Sequence, residues 1–179
     1  MIDSQEVVID AAAPHDVTVI ANLLELYSHD LSQAFGLELG ADGRFGYKSL
    51  PLYWTTPEER FPFLIRCGIR IVGFALLARG SPASDNPEDF DVAEFFIVRR
   101  HRRRGVGRRA AFLLFDRLPV RWIVRVSEGN PSGWQFWAST LGQYTHGELV
   151  ETTLPGVPHP WRVFSFASRG MTSPVSPST

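Results

Sequence analysis

The chain has 179 residues and a mass of 20.1 kDa, with 44% hydrophobic and 21% charged residues and a net charge of -1. That is enough to bury one core, lies outside the compositions of disordered chains, collagen and coiled coils, and argues against a general nucleic-acid or membrane-surface protein. No stretch reaches the ~18–20 uninterrupted apolar residues of a membrane span, the acidic start is not a secretory signal, and the single cysteine, Cys67, fits a reducing cytoplasm, the predicted location.

Residues 5–10 read as a first strand. Pro14-His15-Asp16 then opens a helix, in which Val17, Ile20, Leu23, Leu24, Tyr27 and Leu31 recur at helical spacing to about residue 33. The stretch 36–60 is rich in glycine and aromatics, with Asp42-Gly43 as a turn signal. Residues 61–67 and 69–79 read as an antiparallel hairpin around Cys67-Gly68, followed by a polar loop over 80–90. Val92 to Val98 is a nearly continuous apolar run, the pattern of a strand buried on both faces. After an arginine-rich loop, Ala111, Leu114, Phe115 and Leu118 form a helical stripe that Pro119 ends, and Arg121 to Ser127 is another strand. Strand, helix and strand in this short span predict a crossover between parallel strands. Asn130-Pro131-Ser132 starts a helix predicted to stop at Gly142, and 161–168 is predicted as the last strand. The expected organisation is one domain over 1–169 with a disordered tail over 170–179.

Charge is concentrated. Of 18 basic residues 17 are arginine, and seven of these lie between residues 99 and 109. The remainder of the chain carries 11 basic against 19 acidic residues. A positive site in an acidic body suggests a local anion, phosphate above all. The stretch Arg102-Arg103-Arg104-Gly105-Val106-Gly107-Arg108 lies between strand and helix. Its glycines permit a tight turn and close ligand approach. The first amides of the following helix have no partner inside it. Arg108 and Arg109 stand where the helix dipole is positive, unfavourable by roughly 0.3–1 kcal/mol each. A bound phosphate reverses that sign. Two familiar phosphate loops fit poorly. One requires a lysine that is absent here. The dinucleotide loop wants a third glycine where Ala110 stands, and offers only Glu128 as a ribose partner. A solvated basic patch or nucleic-acid contact is the alternative, but two glycines interrupt the run and no aromatic interleaves it.

The pattern Arg102-x-x-Gly105-x-Gly107 after an apolar strand resembles the pyrophosphate loop of the GNAT superfamily of N-acetyltransferases, which reads Gln/Arg-x-x-Gly-x-Gly/Ala. Asn130 at the end of the next strand, Gly133, the pair Phe136-Trp137 and Leu141-Gly142 extend the likeness over 92–144. Residues 1–90 are compatible in order and length, and the whole looks like a bacterial-type member. The resemblance implies a GNAT-like α/β (α+β) fold: a mixed, mostly antiparallel sheet flanked by helices, with parallel fourth and fifth strands splayed apart.

It further implies acetyl-CoA as co-substrate, its pantetheine arm in the gap between those strands. Phe95, Phe96 and Ile97 then supply backbone contacts, and an amide at or near Ile97 polarises the acyl carbonyl. Arg102, Arg103, Arg104, Gly105, Val106, Gly107 and Arg108 cradle the pyrophosphate. Asn130 is either a cofactor contact or a turn and cap residue. Arg99, Arg100 and Arg109 are either surface charge or contacts to the ribose phosphate. The implied reaction is direct attack of an amine, on a small molecule or a protein, upon the thioester. Glu94, the only charge in its apolar run, is the candidate base; alternatively it faces water or pairs with an arginine. The family's tyrosine acid is replaced by Trp137, whose indole is no proton source. Tyr144, Ser127 or water could substitute, with Tyr144 taken as the catalytic candidate. The missing tyrosine also prompts a second reading, a non-catalytic acyl-CoA-binding or regulatory module.

Trp134, Phe136 and Trp137 are read as core packing rather than a substrate box, while the resemblance also makes Trp137 a cofactor-binding candidate. The five histidines lack metal-ligand spacing, so no metal is predicted. Glu38, Asp42, Glu58 and Glu59 beside aromatics suggest a pocket for a cationic amine. Neither a nucleic-acid nor a membrane partner is expected, and homodimers are common in the resembled family.

Overall fold

The computed structural model describes residues 6–171. A seven-stranded sheet has the order β1-β2-β3-β4-β5-β7-β6. Its strands are β1 (Val7–Ala11), β2 (Arg60–Cys67), β3 (Arg70–Arg79), β4 (Phe90–Ile97), β5 (Arg121–Ser127), β6 (Val150–Leu154) and β7 (Trp161–Ala167). All pairings are antiparallel except that of β4 with β5. Helices α1 (Val17–Phe35) and α2 (Leu52–Thr55) cover one face, and α3 (Val106–Arg117) and α4 (Pro131–Thr145) cover the other.

The period-2 alternation of the strands builds two cores. Phe74 and Leu76 of β3 pack with Ile20 and Leu24 of α1. Ala75 and Leu77, one residue out of phase, pack with Ala110, Ala111 and Leu114 of α3. Ile20 and Leu24 lie four residues apart on one helical face, which is why α1 buries there; the helix ends at Gly36, whose φ of 61° only glycine adopts freely. No helix of the described residues is long and apolar enough to cross a membrane.

Two features set up the site. First, β4 and β5 pair over only three rows, Phe90 with Trp122, Asp91 with Ile123 and Val92 with Val124. Beyond Val92 the two parallel strands have no shared ladder. The middle of β4, expected to be buried on both faces, is therefore only half-buried at Ala93, Glu94 and Phe95. Second, β4 carries a bulge. Leu76 opposes Glu94 and Leu77 opposes Val92, so Ala93 is an extra residue. The extra residue inverts the alternation. Phe90 and Val92 face the α3 core, but after the bulge it is Phe95 that packs there. Glu94 is thereby turned out of that core onto the α1 face.

The tail expectation lies outside the described residues from 172 onward, while Arg169–Met171 form a 3-10 turn. The predicted stop of α4 at Gly142 is corrected. The helix continues to Thr145 and closes at His146 (φ 55°), with the Gly147 amide donating to the Gly142 carbonyl at 3.1 Å. Buried Tyr144 anchors this extra turn, outweighing the low helix propensity of Gly142. β6 was not expected. It is an edge strand with mostly exposed side chains and so has no hydrophobic alternation to betray it.

Candidate active site

The bulge delivers Glu94 to a cavity of about 350 Å³ between β3, β4, β5 and the segment joining α1 to β2. Tyr47 donates its hydroxyl proton to Glu94 Oε1 at 2.9 Å. Burial pushes the Glu94 carboxyl above the usual carboxylate range, opposed by hydrogen bonds from Tyr27 and Tyr47 and by the Arg125 charge. A carboxyl poised in this way holds a proton less reluctantly than one in water, which suits a general base. Burial and the nearby Glu94 charge also raise the phenols of Tyr27 and Tyr47, so both remain hydrogen-bond donors. Tyr53, pushed up to about 12 by burial and Glu94, completes this aromatic wall. Beside Glu94, Asp91 is buried and held by Arg125, through Nε at 2.9 Å and Nη2 at 2.6 Å, and by the Ser81 hydroxyl at 2.9 Å.

From Glu94 the free edge of β4 runs toward the arginine loop. Over residues 93–97 the β5-facing backbone groups of β4 lack a strand partner. Of the expected contact residues, Phe95 and Ile97 turn their backbone groups to this edge, whereas those of Phe96 pair with Phe74 of β3. Phe95 stacks on Phe136 (5.8 Å, 19°) and meets Trp137 edge-on (5.1 Å), so α4 closes the gap on the far face. Trp137 is buried in the core. Trp134 is more exposed, with its indole near Glu151 at 3.4 Å.

The edge ends at the start of α3. Gly105 caps this helix in the left-handed region (φ 75°), with no side chain capping it. The first intrahelical bond is from the Arg109 amide to the Gly105 carbonyl, at 3.0 Å. The amides of Val106, Gly107 and Arg108 therefore point out of the helix end. Arg103 shares the left-handed conformation (φ 60°), a local strain for a residue with a side chain. Arg103, Arg104, Arg108 and Arg109 are exposed around the same helix tip. Backbone donors ringed by guanidiniums at a helix start can hold an anion.

Several site expectations change in detail. Arg102 turns back into the protein: Nε donates to the Ile97 carbonyl at 2.6 Å, Nη2 pairs with Asp30, and the guanidinium lies over Phe96 at 5.3 Å. Its side chain braces the loop against α1 instead of facing the helix tip. Arg99 is held by the same Asp30. The missing side chain of Gly107 makes room for Phe136, whose ring atoms would lie 3.1 and 3.2 Å from a Cβ there, and not for a ligand. Asn130 is a helix cap: its Oδ1 accepts from the Gly133 amide at 3.0 Å. Tyr144 does not reach the cavity. It is fully buried among Phe112, Phe115 and Phe166, and its hydroxyl donates to Asp116 at 2.7 Å. Ser127 is buried, its Oγ accepting from the Gly129 amide at 3.2 Å.

None of Glu38, Asp42, Glu58 and Glu59 lines the cavity. The segment before β2 contributes Tyr47 and Tyr53 instead, and the charged lining is Arg60, Arg79, Arg125, Asp91 and Glu94. Sequence reasoning missed Tyr47, Asp91 and Arg125; the pairing of a buried aspartate with a neighbouring-strand arginine has no signature in linear spacing.

No protein-family model and no curated protein sequence matches the chain. Solved structures do. The spermidine N-acetyltransferase of Vibrio cholerae, in complex with CoA and spermine, superposes with a TM-score of 0.62 at 13% identity, over 94% of this chain and 99% of that one. An aminoglycoside acetyltransferase in complex with coenzyme A gives 0.65 at 13% identity, over 92% and 96%. A protein of the GNAT family from Desulfovibrio desulfuricans gives 0.63 at 9% identity, over 91% and 99%. The chain has the fold of these GNAT proteins, with the mostly antiparallel sheet and the one parallel pair expected from its sequence.

Proposed function

We propose that the protein is an acetyl-CoA-dependent N-acetyltransferase that passes an acetyl group to an amine. One observation carries this reading: the unpaired edge of β4 joins a half-buried carboxylate to an uncapped, arginine-ringed helix start. Such a track suits a ligand with an amide-bearing arm and a diphosphate, and two structures of the same fold hold coenzyme A. The amides of Val106, Gly107 and Arg108 bind the diphosphate, with Arg103, Arg104 and Arg108 around it. The free backbone of Phe95 and the Ile97 amide pair with the arm, and Phe136 and Trp137 back that edge.

Acetyl-CoA supplies a thioester whose carbonyl carbon accepts the amine. Glu94 takes the proton that the amine must lose as its nitrogen forms the new C–N bond. Tyr47 and Tyr27 hold that carboxylate in place. An amide of the β4 edge near Ile97 stabilises the charge developing on the acyl oxygen. When the C–S bond breaks, the sulfur leaves as a thiolate. A thiol with a pKa near roughly 8.5 needs little help to leave, so the proton can come from water.

The second reading, a CoA-binding module without turnover, is favoured by one fact: neither Tyr144 nor Trp137 offers a proton at the cleft. Calorimetric titration with acetyl-CoA, followed by thiol release over an amine panel, separates the two. Binding with turnover is expected. Binding without turnover establishes the module, and absence of binding removes both.

A further inference from the structure

We infer that the acceptor carries an anionic group, a carboxylate or a phosphate, in addition to its amine, and that Arg60 is the residue that selects it. This deepens the acetyltransferase reading and rests on it. The cavity wall holds three arginines and two carboxyls. Arg125 and Asp91 neutralise each other through two short bonds. Glu94 is committed to Tyr47 and, in the reaction, to the amine proton. What remains is positive.

Among the described residues Arg60 has no carboxylate within ion-pair distance, although it is only half-buried. Arg79 lies 3.8 Å from Glu88, but both side chains are largely exposed (44% and 71%), so that pair is weak. The Arg60 guanidinium is hydrogen-bonded to the Tyr53 hydroxyl, a neutral partner, and with no carboxylate paired to it can take a planar anion as well.

Register gives the spacing. Arg60 opposes Ala78 on β3, and Glu94 opposes Leu76. The two functional residues are therefore offset by two residues, about 7 Å along β3, on opposite flanks of that strand. Arg60 and Leu64 have the same parity on β2, and Leu64 packs in the α1-side core, so Arg60 and Glu94 share a sheet face. An amine at Glu94 and an anion at Arg60 then belong to one small molecule lying across β3. A polycation such as the spermine held by the Vibrio structure would meet repulsion here.

The test uses acceptors matched except for charge: phenylalanine with phenethylamine, phosphoethanolamine with ethanolamine, and spermidine as the polycation. Thiol release and calorimetry on the CoA complex are measured for wild type and Arg60→Gln. In at least one pair the anionic member is expected to be favoured by about tenfold or more, chiefly through KM, with the ratio collapsing toward one in Arg60→Gln. Preference for the uncharged members or for spermidine overturns the inference, as does a ratio that survives the substitution. If acetyl-CoA binds but no amine turns over, the enzyme reading fails on its own. Calorimetry then decides: selective binding of the anionic members supports the inference, and equal or absent binding refutes it.

Discussion

The surroundings of Glu94 disagree about its charge. Burial favours the proton, while Tyr27, Tyr47 and Arg125 favour the anion, and burial prevails. The base form is therefore lost, as pH falls, at a pH above the usual carboxylate range. The kcat/KM profile should show an acidic limb there. Glu94→Gln should remove that limb and lower kcat by about 10²–10⁴-fold. Tyr47→Phe deletes a donor to the anion, so it should move the limb to still higher pH. The same shift has a stability consequence. A group whose folded pKa is raised contributes stability that is complete below its unfolded pKa and lost as pH rises through the folded value. Glu94→Gln, neutral throughout, should thus melt above wild type at pH 8 and close to it at pH 4. A variant less stable than wild type at pH 8 would contradict the burial argument.

At the scale of elements, the loop before α3 trades local comfort for a helix start with open amides. Gly105 and Arg103 both occupy the left-handed region, but only glycine does so freely. Gly105→Ala should lower stability by about 1–2 kcal/mol, whereas Arg103→Gly should leave it equal or higher; chemical denaturation measures both. If both substitutions destabilise alike, the backbone there is not strained. This block, β4–α3–β5, was legible in the sequence because an apolar run, two glycines and a helical stripe follow one another without interruption. The bulge was not. Ala93 sits in a run apolar at nearly every position, so an inverted alternation leaves no trace. Nor was the end of α4, where the tertiary anchor of Tyr144 overrides a glycine.

Across the whole molecule, the sheet brings three remote segments to one cavity. Tyr47 and Tyr53 come from the segment before β2, Arg60 from the start of β2, and Arg125 from β5. The mostly antiparallel sheet with its one parallel pair could be read ahead of the structure from the order of its segments, and the glycine-broken arginine run does mark the start of α3. The cavity could not, because its wall is assembled only when β2, β3, β4 and β5 align. That is also why an acidic, amine-seeking pocket was expected from composition while the structure holds an arginine-lined one. The central claim is that a diphosphate sits on the α3 helix tip and its arm on the free β4 edge. A crystal structure with coenzyme A tests it most directly. Density should run beside residues 93–97 and end at the amides of Val106, Gly107 and Arg108. Density on another face of the sheet, or a cleft between β4 and β5 left empty at saturating coenzyme, would contradict the account.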